Sequence, residues 1–452
     1  MKSMVGYSTN SDSFLAGIET AKQATADLSN PKLGFLYTSV KNNIKQVVKG
    51  IESVHNIPLI GCTSSSGIMV PDGVINSEYG YSGMLTLDDP KLVVGIACHE
   101  AGNNPRVIGR KVAIQAVENA KTTRAPAYFY MVASPKEEEE YLMGIQDVIG
   151  RVPMFGGSAS DDTVEGNWKI ICNDKVFSDG VAVAFFYTDN EINTCFSGAY
   201  NETNNVGLIT EVDDDRNLIS IDGMSALKKY AHWTNQNAKD LFGHNLLTAS
   251  VRQPLGIKDP LGNIMVVRHP MFGDDMGTKT TMDDAIRLGN KVVKGTAIVQ
   301  LEASDKELIN APAELVAKLR NKMYNTPVAY ILIHCAGRRI VLKDKIEEVY
   351  DKVLKETKKN TRNSEIDDDP FKVDVANNKA SVVPVTIILC LTAIITILGY
   401  IAWEANFGIE AFTSFHEKLV SLEVGEEFTI ISYLLGSNAN AFGSFGYVFT
   451  IG

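Results

Sequence analysis

Apolar positions in the first two hundred residues switch between two periods. Over residues 12–28 and 42–55 they recur every three to four positions, which predicts amphipathic helices. Short apolar runs at 33–37, 58–62, 80–87, 92–98 and 127–133 are rich in β-branched and aromatic residues and predict strands. Residues 107–120 predict a third helix. Glu137, Glu138, Glu139 and Glu140 then open a fourth, because acidic side chains suit the dipole of a first helical turn. Such alternation marks an α/β layer. Three further β-rich runs, 168–172, 180–187 and 192–196, predict an antiparallel sheet. A boundary is expected in the polar run 201–205 or at the turn 213–215, since the helical run 225–242 starts a new pattern. Strands at 263–268, 294–301 and 329–334 and helices at 312–324 and 343–354 follow.

One stretch changes the picture from two α/β modules to a tethered pair. Residues 381–403 (SVVPVTIILCLTAIITILGYIAW) carry no charge, and at 1.5 Å rise per residue they make about 34 Å of helix, enough to cross a hydrocarbon core. Tyr400 and Trp403 stand together at one end, as interfacial anchors do. Lys352, Lys355, Lys358, Lys359, Arg362, Lys372 and Lys379 precede the span and Lys418 alone follows it, so the N-terminal region is expected on the cytoplasmic side. The expected organisation is a module at 1–210, a second at 211–345, a charged linker at 346–380, one transmembrane helix at 381–403 and a non-cytoplasmic or membrane-associated tail at 404–452. The fold class is therefore two tandem mixed α/β modules followed by a linker and one span.

Composition narrows the function. A formal net charge of -11 repels polyphosphate, and no basic stripe interleaves with aromatics, so nucleic acid is not an expected partner. Cys62, Cys98, Cys172, Cys195, Cys335 and Cys390 form no C-x-x-C pair and stand at no zinc-ligand spacing with histidine, so neither a disulfide framework nor a metal site is expected. No apolar leader precedes the polar residues 8–12, which argues against a cleaved signal peptide. No cofactor is expected.

Candidate chemistry lies in three small-residue segments that each follow a strand: Gly61-Cys62-Thr63-Ser64-Ser65-Ser66-Gly67, Gly156-Gly157-Ser158-Ala159-Ser160-Asp161-Asp162, and Cys335-Ala336-Gly337-Arg338-Arg339. Loops after strands of α/β folds gather into ligand sites, and small residues let backbone N–H groups approach a ligand. Each segment is equally readable as a tight turn.

Taken in order, these segments resemble the FIST family of sensory domains, in which an N-terminal and a C-terminal module occur in tandem. The resemblance runs through Val5-Gly6-Tyr7-Ser8-Thr9, Ala16-Gly17, Ile60-Gly61-Cys62-Thr63 and Phe155 to Asp162. In the second module it takes in Gln253-Pro254-Leu255-Gly256, Val267-Arg268-His269-Pro270 and His334 to Arg338. It implies a signal-transduction sensor for a small ligand, with amino acids the suggested class, and a downstream signalling protein as partner. No output domain is readable after residue 345. An amino acid needs a cation and an anion site a few ångströms apart. Arg268, Arg338 or Arg339 would take the carboxylate and Asp161 or Asp162 the ammonium, with Cys62, Thr63, Ser64, Gly156, Gly157, Ser158 and Ser160 shaping the site.

Two alternatives stand beside this. Cys62 at the end of a strand, assisted by His99 or His334, would make a thiol-dependent hydrolase or transferase; a buried apolar cysteine is the plainer account. The apolar residues 428–435 beyond the span raise a truncated fusion of a sensory region to a multi-span transporter.

Overall fold

The computed structural model describes residues 1–163, 165–258, 265–273 and 284–359, and the backbone of 447–451. The expected span at 381–403, the linker beyond 359 and the tail to 446 lie outside the described residues. Among those described, no helix is long and apolar enough to cross a membrane.

The first half of the chain is one unit built twice. Lys2–Ser8, Pro31–Thr38, Leu59–Thr63 and Ser82–Asp88 form a sheet in which the fourth strand lies antiparallel between the first two and the second runs parallel to the third. Val93–Glu100, Tyr128–Ala133, Met154–Ser158 and Gly180–Tyr187 repeat that order and those directions. In each copy two helices connect the first three strands: Ser13–Thr25 and Ile44–Val54, then Pro105–Ala120 and Glu138–Ile149. Asp12 caps the first of them through the N–H groups of Phe14 and Leu15, at the boundary that the polar-to-periodic switch predicts.

The same glycines make both copies close. A Cβ on Gly17 would stand 3.0 Å from the Cα of Gly50, and one on Gly109 would stand 3.0 Å from the Cα of Gly144, so each helix pair crosses backbone to backbone. Each third strand likewise passes a second-strand carbonyl at a glycine. Gly61 faces Leu36 O and Gly156 faces Met131 O, each leaving only 1.8 Å to where a Cβ would be.

Because successive strand side chains point to opposite faces, each strand feeds two cores. Phe35, Ile60, Cys62, Tyr130, Phe155 and Phe186 meet between the two sheets, with Phe35 and Tyr130 in an edge contact at 5.2 Å between centroids. Leu36, Leu59 and Met84 turn outward onto the first helix pair, and Phe129, Met131, Val183 and Phe185 onto the second. The architecture is helix, sheet, sheet, helix.

The single antiparallel sheet expected over 168–196 is not formed. Ile170–Cys172 pairs with Leu59–Thr63 in the first sheet, Gly180–Tyr187 sits in the second, and Ile192–Phe196 starts a third. In that third sheet the backbone of Tyr447–Ile451 lies antiparallel between Ile192–Phe196 and Ala329–Ile333, and the helices Asp305–Lys322 and Ile346–Thr357 pack together. Among the described residues these three strands match the first, fourth and second positions of the earlier sheets, with the interruption after the first. The interrupting segment forms its own antiparallel sheet around Asn201–Asp213, Asn217–Ile221, Leu255–Lys258 and Ala297–Glu302, covered by Ala226–Thr234. Residues 201–205, expected as a boundary, are the start of a strand; they are polar because their side chains are exposed or half-buried.

Candidate functional site

The crossing of residues 159–170 from the second sheet to the first brings two of the three small-residue segments together. Thr63 N–H donates to Lys169 O (2.9 Å), Lys169 N–H donates to Thr63 Oγ1 (2.9 Å), and Ser160 N–H donates to Thr63 O (3.1 Å). Ser64 N–H reaches Thr38 O, and Ser64 Oγ donates to Gly67 O (3.1 Å), closing the turn 64–67. Ser66 has φ 56° and Gly67 φ 120°, so the turn is held in backbone regions that side chains seldom adopt.

Fully buried Tyr81 fixes this shape from beneath. Its hydroxyl donates to Ser64 O (2.6 Å) and accepts from Gly67 N–H (2.9 Å). Tyr81→Phe would leave both half-buried groups without this partner, and a loss of about 1–3 kcal/mol in stability is expected by denaturant titration. A loss under about 0.5 kcal/mol would mean that the turn does not depend on this hydroxyl.

The third segment joins at the same residue. Ser66 N–H donates to Asp162 Oδ1 (2.7 Å), and Arg339 Nε donates to Ser66 O (3.4 Å). The two peptide groups that flank the half-exposed Ser66 are thus held, one by an anion and the next by a cation, and the cation comes from a different part of the chain. Arg339 also donates to Lys343 O (2.7 Å).

The other candidates are committed elsewhere. Asp161 is buried and accepts from the N–H groups of Thr163, Glu165, Gly166 and Asn167, so it folds its own loop. Asp162, its neighbour, points to the turn. Arg338 is 1% exposed, donates to Gly198 O and lies over the ring of Tyr200 at 5.4 Å. Its Nε has no hydrogen-bond partner among the described residues. Arg268 is buried against Lys291 O and Val267 O, and burial pulls its guanidinium down to about 10. Gly156 and Gly157 are packing positions: Gly156 closes on Met131 O, and a Cβ on Gly157 would stand 3.5 Å from Ile333.

Ser158 leads into a second charged cluster. Its Oγ donates to Glu138 Oε1 (2.5 Å), and Arg216 binds Glu139 at 2.6 Å and reaches Glu138 at 3.8 Å. Burial, then the adjacent Glu139, raises the Glu138 carboxyl to about 7. Lys291 N–H donates to Glu139 and its ammonium pairs with Glu140 at 2.9 Å, so this cluster also ties the two halves together. The sequence carried a partial signal for it in the acidic run 137–140, read above only as a helix start.

Cys62 faces the core between the sheets, beside Tyr37 and Tyr130, and burial pushes its thiol up to about 12. That suppresses the thiolate a nucleophile needs. His334 is lowered to about 3 by burial and by Arg338 and Arg339, and His99 bonds the carbonyl of Glu100 (2.6 Å). No group of three or more metal-ligating side chains occurs among the described residues.

Two family models match consecutive stretches of the chain. The FIST N domain matches residues 32–224 and the FIST C domain matches residues 226–361. No curated protein matches the chain. Among solved structures, cyanuric acid hydrolase from A. caulinodans aligns at 11% identity over 43% of this chain and 70% of its own, with a TM-score of 0.24. A second cyanuric acid hydrolase structure aligns at 10% identity over 67% of this chain and 100% of its own, also at 0.24. Superpositions that loose bear on neither fold nor activity. The two consecutive domain matches cover most of the chain, and it belongs to the FIST family of sensory domains.

Proposed function

We propose that the chain is a membrane-attached sensor for an amino acid, bound at the Ser66 turn with its carboxylate on Arg339 and its ammonium on Asp162. The observation that carries this is that the N–H and the C=O of Ser66 are held by those two opposite charges. Each keeps hydrogen-bonding capacity: Asp162 Oδ2 and Arg339 Nη2 make no hydrogen bond among the described residues. Both side chains are half-buried, dry enough to strengthen a charge-assisted bond and open enough to admit a ligand. The hydroxyls of Ser65 and Ser160 stand on the two loops as adjustable donors. Ser64, Thr63 and Gly156 act by shaping the turn and the strand ends below it. The apolar stretch 381–403, with basic residues gathered before it, supports membrane attachment with the sensor on the cytoplasmic side. A downstream signalling protein would then receive the output.

Calorimetry of the full-length chain against each of the twenty common L-amino acids tests the site. At least one should bind, its decarboxylated amine should not, and Arg339→Gln and Asp162→Asn should each weaken binding about tenfold or more, the loss of one charge-assisted bond. No heat from any amino acid, or affinity unchanged in both variants, would overturn the assignment.

A further inference from the structure

The Ser66 turn is the root of a small hairpin that touches both modules. Ile68–Val70 and Gly73–Ile75 pair with each other and, among the described strands, with nothing else. A two-stranded hairpin is marginal alone, so its position is set by whatever grips it. At the root the grip is Asp162 on Ser66 N–H, Arg339 on Ser66 O and Tyr81 on Gly67 N–H. Ile68 lies over Gly83 of the first sheet, its Cδ1 only 2.3 Å from where a Cβ would stand.

Beyond the root the grip passes to the second module. Met69 and Val74, directly opposed across the hairpin, pack with Leu342, Ile346, Val349 and Val353. At the tip, Tyr350 Oη donates to Pro71 O (2.7 Å). Four of these five partners lie on the helix Ile346–Thr357, which in sequence precedes the charged segment ahead of the apolar stretch.

We infer that this hairpin, residues 68–75, is the lever that passes a change at the Ser66 turn to the helix Ile346–Thr357, and through it to the segment leading to the membrane. The inference rests on the proposed site at Ser66 and adds its route of output. A ligand that draws Asp162 from the Ser66 N–H or Arg339 from the Ser66 carbonyl loosens the root. The paired strands move as one piece, and the helix packed on Met69, Val74 and Pro71 shifts with them.

Coupling along such a path is a free energy, read from a double-mutant cycle. Amide hydrogen exchange on the full-length chain, with no ligand added, supplies it. Asp162→Ala removes the acceptor that anchors the Ser66 N–H and should speed exchange in both 66–75 and 346–357 about tenfold, leaving the distant helix Pro105–Ala120 unchanged. With Tyr350→Phe and Met69→Ala already present, Asp162→Ala should still speed 66–75 but change 346–357 by less than about twofold. Tyr81→Phe, which loosens the same turn from below, serves as the second release if Asp162→Ala destabilises the whole chain. Faster exchange in 66–75 with 346–357 unaltered, in either release variant, overturns the lever. So does an undiminished helix response in the combined variant. Since no ligand enters, failure here leaves the amino-acid site standing, and failure of calorimetry leaves the lever standing.

Discussion

Gly156→Ala is expected to cost the protein about 4 kcal/mol or more, enough by itself to threaten a fold of ordinary stability. Two independent penalties meet at this residue. Its φ of 140° is one that side-chain-bearing residues rarely adopt, and the added methyl carbon would stand 1.8 Å from Met131 O. The obstacle is the backbone of the neighbouring parallel strand, which cannot swing aside as a side chain would. Gly157→Ala is the built-in control. The next residue along the strand has its nearest obstacle at 3.5 Å, an Ile333 methyl group at ordinary contact distance, and should tolerate the change within about 1 kcal/mol. Gly61→Ala, at the equivalent place in the first copy, meets Leu36 O at 1.8 Å without the positive φ, and should be costly through the steric penalty alone. Thermal melting of the full-length chain decides this: a fall of about 10 °C or more for Gly156→Ala and Gly61→Ala, and little for Gly157→Ala. A Gly156→Ala protein that melts within about 2 °C of the parent would show that the strands relax past each other.

Those glycines were also the signal for the internal duplication. Hydrophobic period placed nearly every element of the first half, because strands buried on both faces read as continuous apolar runs and the helices between them as stripes. Which strands pair was not legible. The run at 170–172 is as β-prone as the one at 180–187, yet one joins the first sheet and the other the second, because pairing is decided by the loop that crosses between them. The repeating helix-pair glycines at Gly17 and Gly50, then Gly109 and Gly144, followed by Gly61 and Gly156 in the third strands, mark the two copies. Their meaning appears only when the close backbone approaches are seen.

The candidate site was legible as a set of loops and illegible as a set of roles. Two of the small-residue segments after strands do meet, since the strand ends bring 63–67 and 158–162 together. Choosing among neighbours needed direction. Asp161 and Asp162 are chemically alike, but one side chain turns inward to four N–H groups and the other toward Ser66. Arg338 and Arg339 are successive residues of the helix Ala336–Leu342, about 100° apart around its axis. One is therefore buried on Tyr200 while the other reaches the turn. Tyr81 left no mark in the sequence at all, because a tyrosine before a strand is unremarkable until its hydroxyl is seen to join Ser64 and Gly67.

Arg216→Met should be the most costly change at the junction of the two halves, and its cost should depend on pH. Arg216 serves Glu139 at 2.6 Å and Glu138 at 3.8 Å and also donates to the carbonyls of Lys136 and Gly289, so removing it leaves two buried carboxyls without their shared cation. Breaking one side of a buried ion pair typically costs about 3–5 kcal/mol. The pH dependence follows from Glu138, whose carboxyl is raised from 4.5 to about 7 in the folded protein. Below the unfolded value both states hold the proton and nothing is lost. As pH climbs through 7 the unfolded chain has already ionised freely while the folded one ionises against burial and Glu139. Stability therefore falls between about pH 4.5 and 7, by about 3 kcal/mol at most for a shift of this size. Without Arg216 the carboxyl must rise further, and the loss extends to higher pH. Urea titrations should thus show Arg216→Met near its full cost at pH 8 and a clearly smaller one at pH 5. Glu138→Gln, which still accepts the Ser158 proton, should flatten the parent's decline over that range and return part of the loss when combined with Arg216→Met. Equal costs at pH 5 and pH 8 would remove Glu138 from the account. They would leave Glu139 with Arg216 as the pair that fastens the turn at 214–216 to the start of the helix Glu138–Ile149.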